Sequence, residues 1–197
     1  MAKLYFRYGA MDCGKTSHLL QAAHNYEERG QKVCVIKPAT DTKNGTKLLS
    51  RIGLERDTDF TFSRRVNLLD KVSKEYSQVA CVLVDEAQFL TPRQVDQLMD
   101  VTIDLNIPVI CYGLRLNFRQ SDAGFEGSTR LLQLAHDIEE LKTICECGKK
   151  ATQNARFLNG EMVLGGPDVL IDDGTSEIVY RSICPKCYRK YAKTATK

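Results

Sequence analysis

Three groups of residues in this chain have the types and spacing that chemistry needs. The first is Gly9-Ala10-Met11-Asp12-Cys13-Gly14-Lys15-Thr16, which fits the pattern G-x-x-x-x-G-K-[ST]. Glycines let backbone N–H groups curl around phosphate oxygens, Lys15 brings a cation to them, and the Thr16 hydroxyl is a hard oxygen ligand for Mg²⁺. Cys13 reads as a small filler of the loop. The second group is Asp85-Glu86, which closes the apolar run "VACVLV". An acidic residue at the end of a core strand is placed to hold Mg²⁺ directly or through water. Glu86 projects differently and faces the attacking nucleophile, so it takes a proton either from water or from a substrate hydroxyl. The third group is Cys145 and Cys147 with Cys184 and Cys187. Four thiolates make a closed tetrahedral shell around Zn²⁺, which predicts a structural metal, with reduced or redox-active cysteines as the competing reading.

These groups need elements to hold them. "KLYFRY" before the glycine-rich loop is a strand, and the loop feeds a helix over about Lys15 to Arg29 that Gly30 stops. "KVCVIKP", "VACVLVDE" and "IPVICYGL" are further strands, nearly continuously apolar. "VNLLDKVSKEY" is helical, and the polar stretch from Thr40 to Asp59 is expected to be partly irregular. Thr91-Pro92-Arg93-Gln94 opens a helix with a hydroxyl cap, proline at the first position and glutamine three residues on. Ser128 is expected to cap "TRLLQLAHD". Strands alternating with helices predict an α/β fold, a parallel sheet covered on both faces in the P-loop (RecA-like) manner. The alternation stops near Cys145. The expected division is a nucleotide-binding domain over 1–142, a small zinc-ribbon lobe carrying a substrate lid over 143–190, and a disordered tail over 191–197.

Composition removes several function classes. At 197 residues the chain has room for one good-sized domain and an appendage, but not for a pair of motor domains. A net charge of +3, without a dense basic stretch before the tail, is no nucleic-acid footprint. No apolar run approaches the roughly 20 residues that span a bilayer, and no leader is evident, so a cytoplasmic protein is expected. Of eight cysteines, Cys34, Cys81 and Cys111 fall in strand-like runs, a reducing-compartment pattern rather than a disulfide framework. His18, His24 and His136 read as helix surface or packing residues. Arg156 reads either as approaching a phosphate or as a solvated strand arginine.

Taken in order, "YGAMDCGKT", "VLVDEAQFL", "CYGLRLNFRQ" with "FEGS", "ELKTICECGKKAT" and "YRSICPKCY" resemble the type II (cellular-type) thymidine kinases over nearly the whole chain. The resemblance implies ATP-dependent phosphorylation of the 5′-hydroxyl of thymidine, with deoxyuridine as a second acceptor. By the same likeness Glu86 matches the general base and Asp85 and Thr16 the Mg²⁺ positions. The loop Gly9 to Thr16, with Asp85 and Gln88, matches the ATP site. Phe89, Phe118 and Phe125 match aromatic residues around the thymine, and Leu114 lies in the same pocket. Tyr180 matches a tyrosine of the closing loop, Asp41 a carboxylate near the acceptor, and Lys43 stands where arginine is common. The stretch "VLIDDGTSEIVY" departs from the family by lacking the Ile-Gly-Gly run usual in its lid, which leaves the base contacts between Ile171 and Thr175 unassigned. A homotetramer, inhibition by dTTP, and no nucleic-acid or membrane partner are also implied. The reading from another class is a nucleic-acid-binding P-loop ATPase with a zinc ribbon, in which Glu86 activates water; a non-catalytic nucleotide sensor is a third.

Overall fold

The computed structural model describes residues 1–42, 45–119, 124–166 and 177–195. The chain opens with β1 (Leu4–Gly9), α1 (Lys15–Glu27) and β2 (Val33–Pro38), followed by a small antiparallel hairpin of β3 (Lys47–Leu49) and β4 (Glu55–Asp57). It continues through β5 (Phe60–Phe62), α2 (Leu68–Glu75), β6 (Cys81–Val84), a 3-10 turn over Ala87–Phe89, α3 (Pro92–Asp104), β7 (Val109–Leu114), α4 (Glu126–Leu134) and β8 (Asp137–Leu141). Strands β5, β2, β6, β7, β1 and β8 lie side by side in that order, and every pairing among them is parallel.

Burial on both faces explains the apolar runs. All six residues of β2 and all four of β6 are buried. One face of the sheet packs Phe6, Ile36 and Val84 against Leu68 of α2, Leu98 and Val101 of α3, and Leu131 of α4. The other packs Val33, Val35 and Leu83 against Leu19, Leu20 and Ala23 of α1. Cys34, Cys81 and Cys111 are buried strand residues. Burial pushes the Cys81 thiol up to about 12, and the Cys34 and Cys111 thiols are raised by the same cause, so all three behave as inert apolar filler.

Local signals read from the sequence are realised at α3. Thr91 accepts from the Gln94 N–H and the Gln94 side chain accepts from the Thr91 N–H, with Pro92 in the first turn. Three details differ. Helix α1 ends at Glu27, and Arg29 and Gly30 form the following turn, with Gly30 at φ 71°. Ser128 lies inside α4 rather than capping it, and its hydroxyl donates to the Leu114 carbonyl. The expected helix "TRLLQLAHD" ends early, because Asp137 already belongs to β8, a charged edge strand paired on β1.

The described residues after β8 form a small lobe. Strands β9 (Thr143–Ile144) and β10 (Lys150–Ala151) make a hairpin. A separate antiparallel sheet joins β11 (Gln153–Leu158), β12 (Glu161–Val163) and β13 (Ile178–Ile183), and α5 (Pro185–Ala192) follows. Helix α5 carries Tyr191 and Ala192, in the span expected to be a disordered tail, and the Tyr191 ring meets Phe157 edge-on at 5.3 Å. The lobe has its own apolar cluster around Ala155, Phe157, Met162 and Tyr188. Among the described residues no helix is long and apolar enough to cross a membrane.

Candidate active site

Ligand sites of open parallel sheets form beyond the carboxyl ends of the strands. Here the ends of β1, β6 and β7 carry the glycine-rich loop, Asp85-Glu86 and the segment with Phe118. The loop leaves β1 at Gly9, where a Cβ would run into Cys13 Sγ and the Leu141 carbonyl, so only glycine lets the chain turn that tightly. It enters α1 through Gly14 at φ 80°, a left-handed cap whose side is bare of any capping side chain, which leaves the first-turn N–H groups for an anion. Lys15 is 8% exposed and its Nζ donates to the Ala10 carbonyl at 2.8 Å. Cys13 is buried against the α1 face of the core, as a filler should be.

The Thr16 hydroxyl donates to Asp85 Oδ2 at 3.1 Å, joining the loop to the end of β6. Asp85 is 3% exposed. Burial, and next the adjacent Glu86 carboxylate, push its carboxyl up to about 7. A carboxylate and a hydroxyl side by side are hard oxygen donors, so the residues present fit Mg²⁺. Glu86 adopts φ 48° and ψ 43°, a left-handed backbone that ends the strand. Its carboxylate accepts from the Gln88 side-chain amide, and Gln88 Oε1 accepts from the Leu114 N–H at 3.0 Å. The turn that carries Glu86 and Gln88 is wedged by two glycines. A Cβ on Gly113 would stand 3.0 Å from Gln88 Oε1, and one on Gly127 would meet the Ala87 carbonyl at 2.8 Å.

The aromatic candidates fall into two pairs. Phe89, half-buried at the end of the turn, meets Phe125 edge-on with centroids 5.8 Å apart. Phe118 is 2% exposed and meets Tyr180 edge-on at 6.3 Å. Tyr180 stands on β13, opposite Arg156 of β11. Arg156 is buried rather than solvated, and its guanidinium lies 4.0 Å over the Phe118 ring. Leu114, the last residue of β7, is buried beside Gln88. Asp41 accepts from Lys37 Nζ at 3.3 Å. Lys37 is a fully buried lysine that also reaches the Lys47 carbonyl, and its place in the run "VCVIKP" concealed it. Lys43 and the lid contacts between Ile171 and Thr175 lie outside the described residues. Two histidines stand apart from the site: His24 pairs with Glu28 at 3.1 Å, and His136, past α4, accepts from the Leu4 N–H at 3.0 Å, whereas His18 in the first turn of α1 has its ring beside Gly14.

The sulfurs of Cys145, Cys147, Cys184 and Cys187 all lie within 4.8 Å of one another. Zn–S bonds of about 2.3 Å in a tetrahedron separate the sulfurs by about 3.8 Å. Cys147 and Cys184 stand at 3.6 Å, and the Cys187 N–H donates to Cys184 Sγ at 3.4 Å. That N–H is the main cause that brings the Cys184 thiol down to about 7. Gly148 at φ 79° closes the tight turn after the first pair, where the Cys145 carbonyl accepts from its N–H. This donor set fits a closed zinc site.

Among solved structures, a chain described as "Crystal structure of Bacteroides Pif1 bound to ssDNA" superposes with a TM-score of 0.37 and 13% identity over 71% of this chain and 38% of that one, too low to bear on function. Sequence relatives are much nearer. A thymidine kinase of Francisella tularensis subsp. holarctica (strain LVS) is 44% identical over 196 residues, covering 96% of this chain and 98% of the relative. One of Chromobacterium violaceum is 45% identical over 190 residues, covering 95% and 98%. One of Xanthomonas campestris pv. campestris (strain 8004) is 49% identical over 176 residues, covering 87% and 83%. With these relatives, and a match to the family described as thymidine kinase across residues 2–188, the chain belongs to the thymidine kinase family.

Proposed function

We propose that this protein transfers the γ-phosphoryl group of ATP to the 5′-hydroxyl of thymidine, and of deoxyuridine as a second acceptor, giving the 5′-monophosphate and ADP. The observation that carries the reading is the 3.1 Å contact between Thr16 and Asp85, which brings a phosphate loop beside Glu86, the residue next to Asp85. In-line transfer needs a fixed triphosphate and an acceptor hydroxyl with a carboxylate in reach.

The backbone from Gly9 to Thr16 and the Lys15 ammonium hold the triphosphate oxygens. Thr16 and Asp85 hold Mg²⁺, which when bound neutralises charge on the phosphates. Glu86 takes the proton of the 5′-hydroxyl as the new O–P bond forms and the bond to the departing ADP oxygen breaks. Phe89, Phe125, Phe118, Tyr180 and Leu114 enclose the pyrimidine, and Asp41 orients the acceptor end. Zn²⁺ on the four cysteines ties the ends of the small lobe. The family relationship supports extending this to a cytoplasmic homotetramer inhibited by dTTP, acting without nucleic-acid or membrane partners.

The test is ATP-dependent phosphate transfer across a panel of nucleosides with Mg²⁺. Thymidine should be the preferred acceptor. Transfer to water alone, or ATP hydrolysis stimulated by DNA or RNA in a salt-sensitive manner, would overturn the assignment in favour of a nucleic-acid-dependent ATPase.

A further inference from the structure

Met11 lies in the phosphate loop, yet both of its backbone polar groups are bound by the small lobe. Its N–H donates to Asn154 Oδ1 at 2.8 Å, and its carbonyl accepts from the Ser182 hydroxyl. Asn154 and Ser182 face each other in register on β11 and β13, so the two bonds form a clasp from adjacent strands onto one peptide segment. The other end of the Asn154 amide donates to the Leu116 carbonyl at 2.8 Å, on the segment that leads to Phe118. A donor at one partner and an acceptor at the other fix which way the amide points. Asn154 is 2% exposed, so leaving its amide unpaired would be costly.

We propose that Asn154 and Ser182 are positioning residues for the phosphate loop, so that the small lobe sets nucleotide affinity as well as covering the acceptor. Beyond Met11 the loop passes through Asp12 at φ 60° and Gly14 at φ 80°, with no regular structure to dictate its path. Anchoring the peptide just before this turn decides where the following N–H groups point. Two further contacts hold the same segment from outside the main sheet: Thr143 Oγ1 donates to the Asp12 carbonyl at 3.4 Å, and Arg51 pairs with the Asp12 carboxylate at 2.5 Å. Asn154 then links donor and acceptor sides, since one side chain holds the phosphate loop and the Phe118 segment together. The inference rests on the reading of Gly9 to Thr16 as the ATP site.

The test is titration of a non-hydrolysable ATP analogue with Mg²⁺, and separately of thymidine, into wild type, Ser182→Ala, Asn154→Ala and Lys15→Ala, each with zinc content and melting temperature measured. Ser182→Ala should bind the analogue about tenfold more weakly while its thymidine affinity stays within about threefold, because among the described residues that hydroxyl grips only Met11. Ser182→Thr, which keeps the hydroxyl, should restore analogue binding. Asn154→Ala should weaken both ligands. Wild-type analogue affinity in zinc-replete Ser182→Ala overturns the clasp, as does an equal loss of both ligands there. If Asn154→Ala does not fold, the Ser182 pair of variants decides alone. Should Lys15→Ala also bind the analogue normally, the ATP-site reading fails, an outcome distinct from failure of the clasp.

Discussion

The side-chain amide of Gln88 bridges the Glu86 carboxylate and the Leu114 backbone. Leu114 offers an N–H, so Gln88 must present its oxygen there and its NH₂ to Glu86, a geometry suited to holding an ionised carboxylate in one orientation. This geometry places Gln88, matched by resemblance to the ATP site, where it can also orient the proposed base. Gln88→Met should lower kcat about tenfold to a hundredfold with little change in the KM for ATP, the cost of a displaced catalytic group. Glu86→Gln should lower kcat by about 10²–10⁴ with nucleotide binding intact. Steady-state kinetics with each substrate varied checks both, and a Gln88→Met variant altered only in ATP affinity would return Gln88 to the nucleotide.

Asp85 predicts an opposition between stability and function. Its carboxyl titrates near 7 in the folded chain against an ordinary 3.8, so the folded state binds this proton more tightly than the unfolded state. The resulting stabilisation is full below about pH 4 and is lost as pH rises through about 7, at about 1.4 kcal/mol for each unit of difference. Asp85→Asn removes the buried charge. In protein free of nucleotide and metal it should melt higher than wild type at pH 8, differ little at pH 4, and lack transfer activity at both. Thermal melts across that range provide the check, and a variant less stable at pH 8 would contradict the titration.

Burial separates the aromatic candidates. Phe89 and Phe125 are half-buried, whereas Phe118 is 2% exposed, with Arg156 stacked on one face and the Tyr188 hydroxyl donating to its carbonyl at 3.0 Å. Phe118→Ala should therefore cost about 3–5 kcal/mol of stability as well as nucleoside affinity. Phe89→Ala should raise the KM for thymidine with a much smaller loss of stability. Denaturant unfolding beside acceptor kinetics distinguishes them, and equal destabilisation would place Phe89 in the core.

The difference between what was legible in the sequence and what was not follows from how each residue's neighbours are encoded. The phosphate loop, the box at Thr91 and Gln94, and the buried strands are local patterns, in which the residues that interact are also neighbours in sequence. Strand β8 was hidden because an edge strand needs no apolar run, and Asp137 and Glu139 instead pair with Arg7 of β1. Lys37 and Arg156 resist a hydropathy reading because each sits in a buried strand and finds its partner outside that strand, Asp41 and the Lys47 carbonyl for one and the Phe118 ring for the other. Asn154 and Ser182 carry no spacing signal, since their common partner Met11 lies at the other end of the chain. Ser128 was misread because its hydroxyl bonds β7 across space rather than its own helix.

Metal removal should act on the small lobe first. Its apolar cluster is built around Cys145, Cys184, Phe157 and Tyr188, so two of the four thiols are themselves core residues. That cluster is too small to hold five short strands and a short helix without a cross-link. Metal analysis should find stoichiometric zinc, and chelation should expose β11, β13 and α5 to hydrogen exchange while β2, β6 and β7 stay protected. Cys187→Ser, which alters the half-buried ligand, should lose zinc more readily than wild type and show the same local opening. Through Asn154 and Ser182 the opening should reach the phosphate loop, so protection at Met11 should fall with that of β11. Hydrogen exchange followed by mass spectrometry resolves the order of events, and a lobe that keeps its protection after complete metal removal would show that the cysteines are held by packing alone.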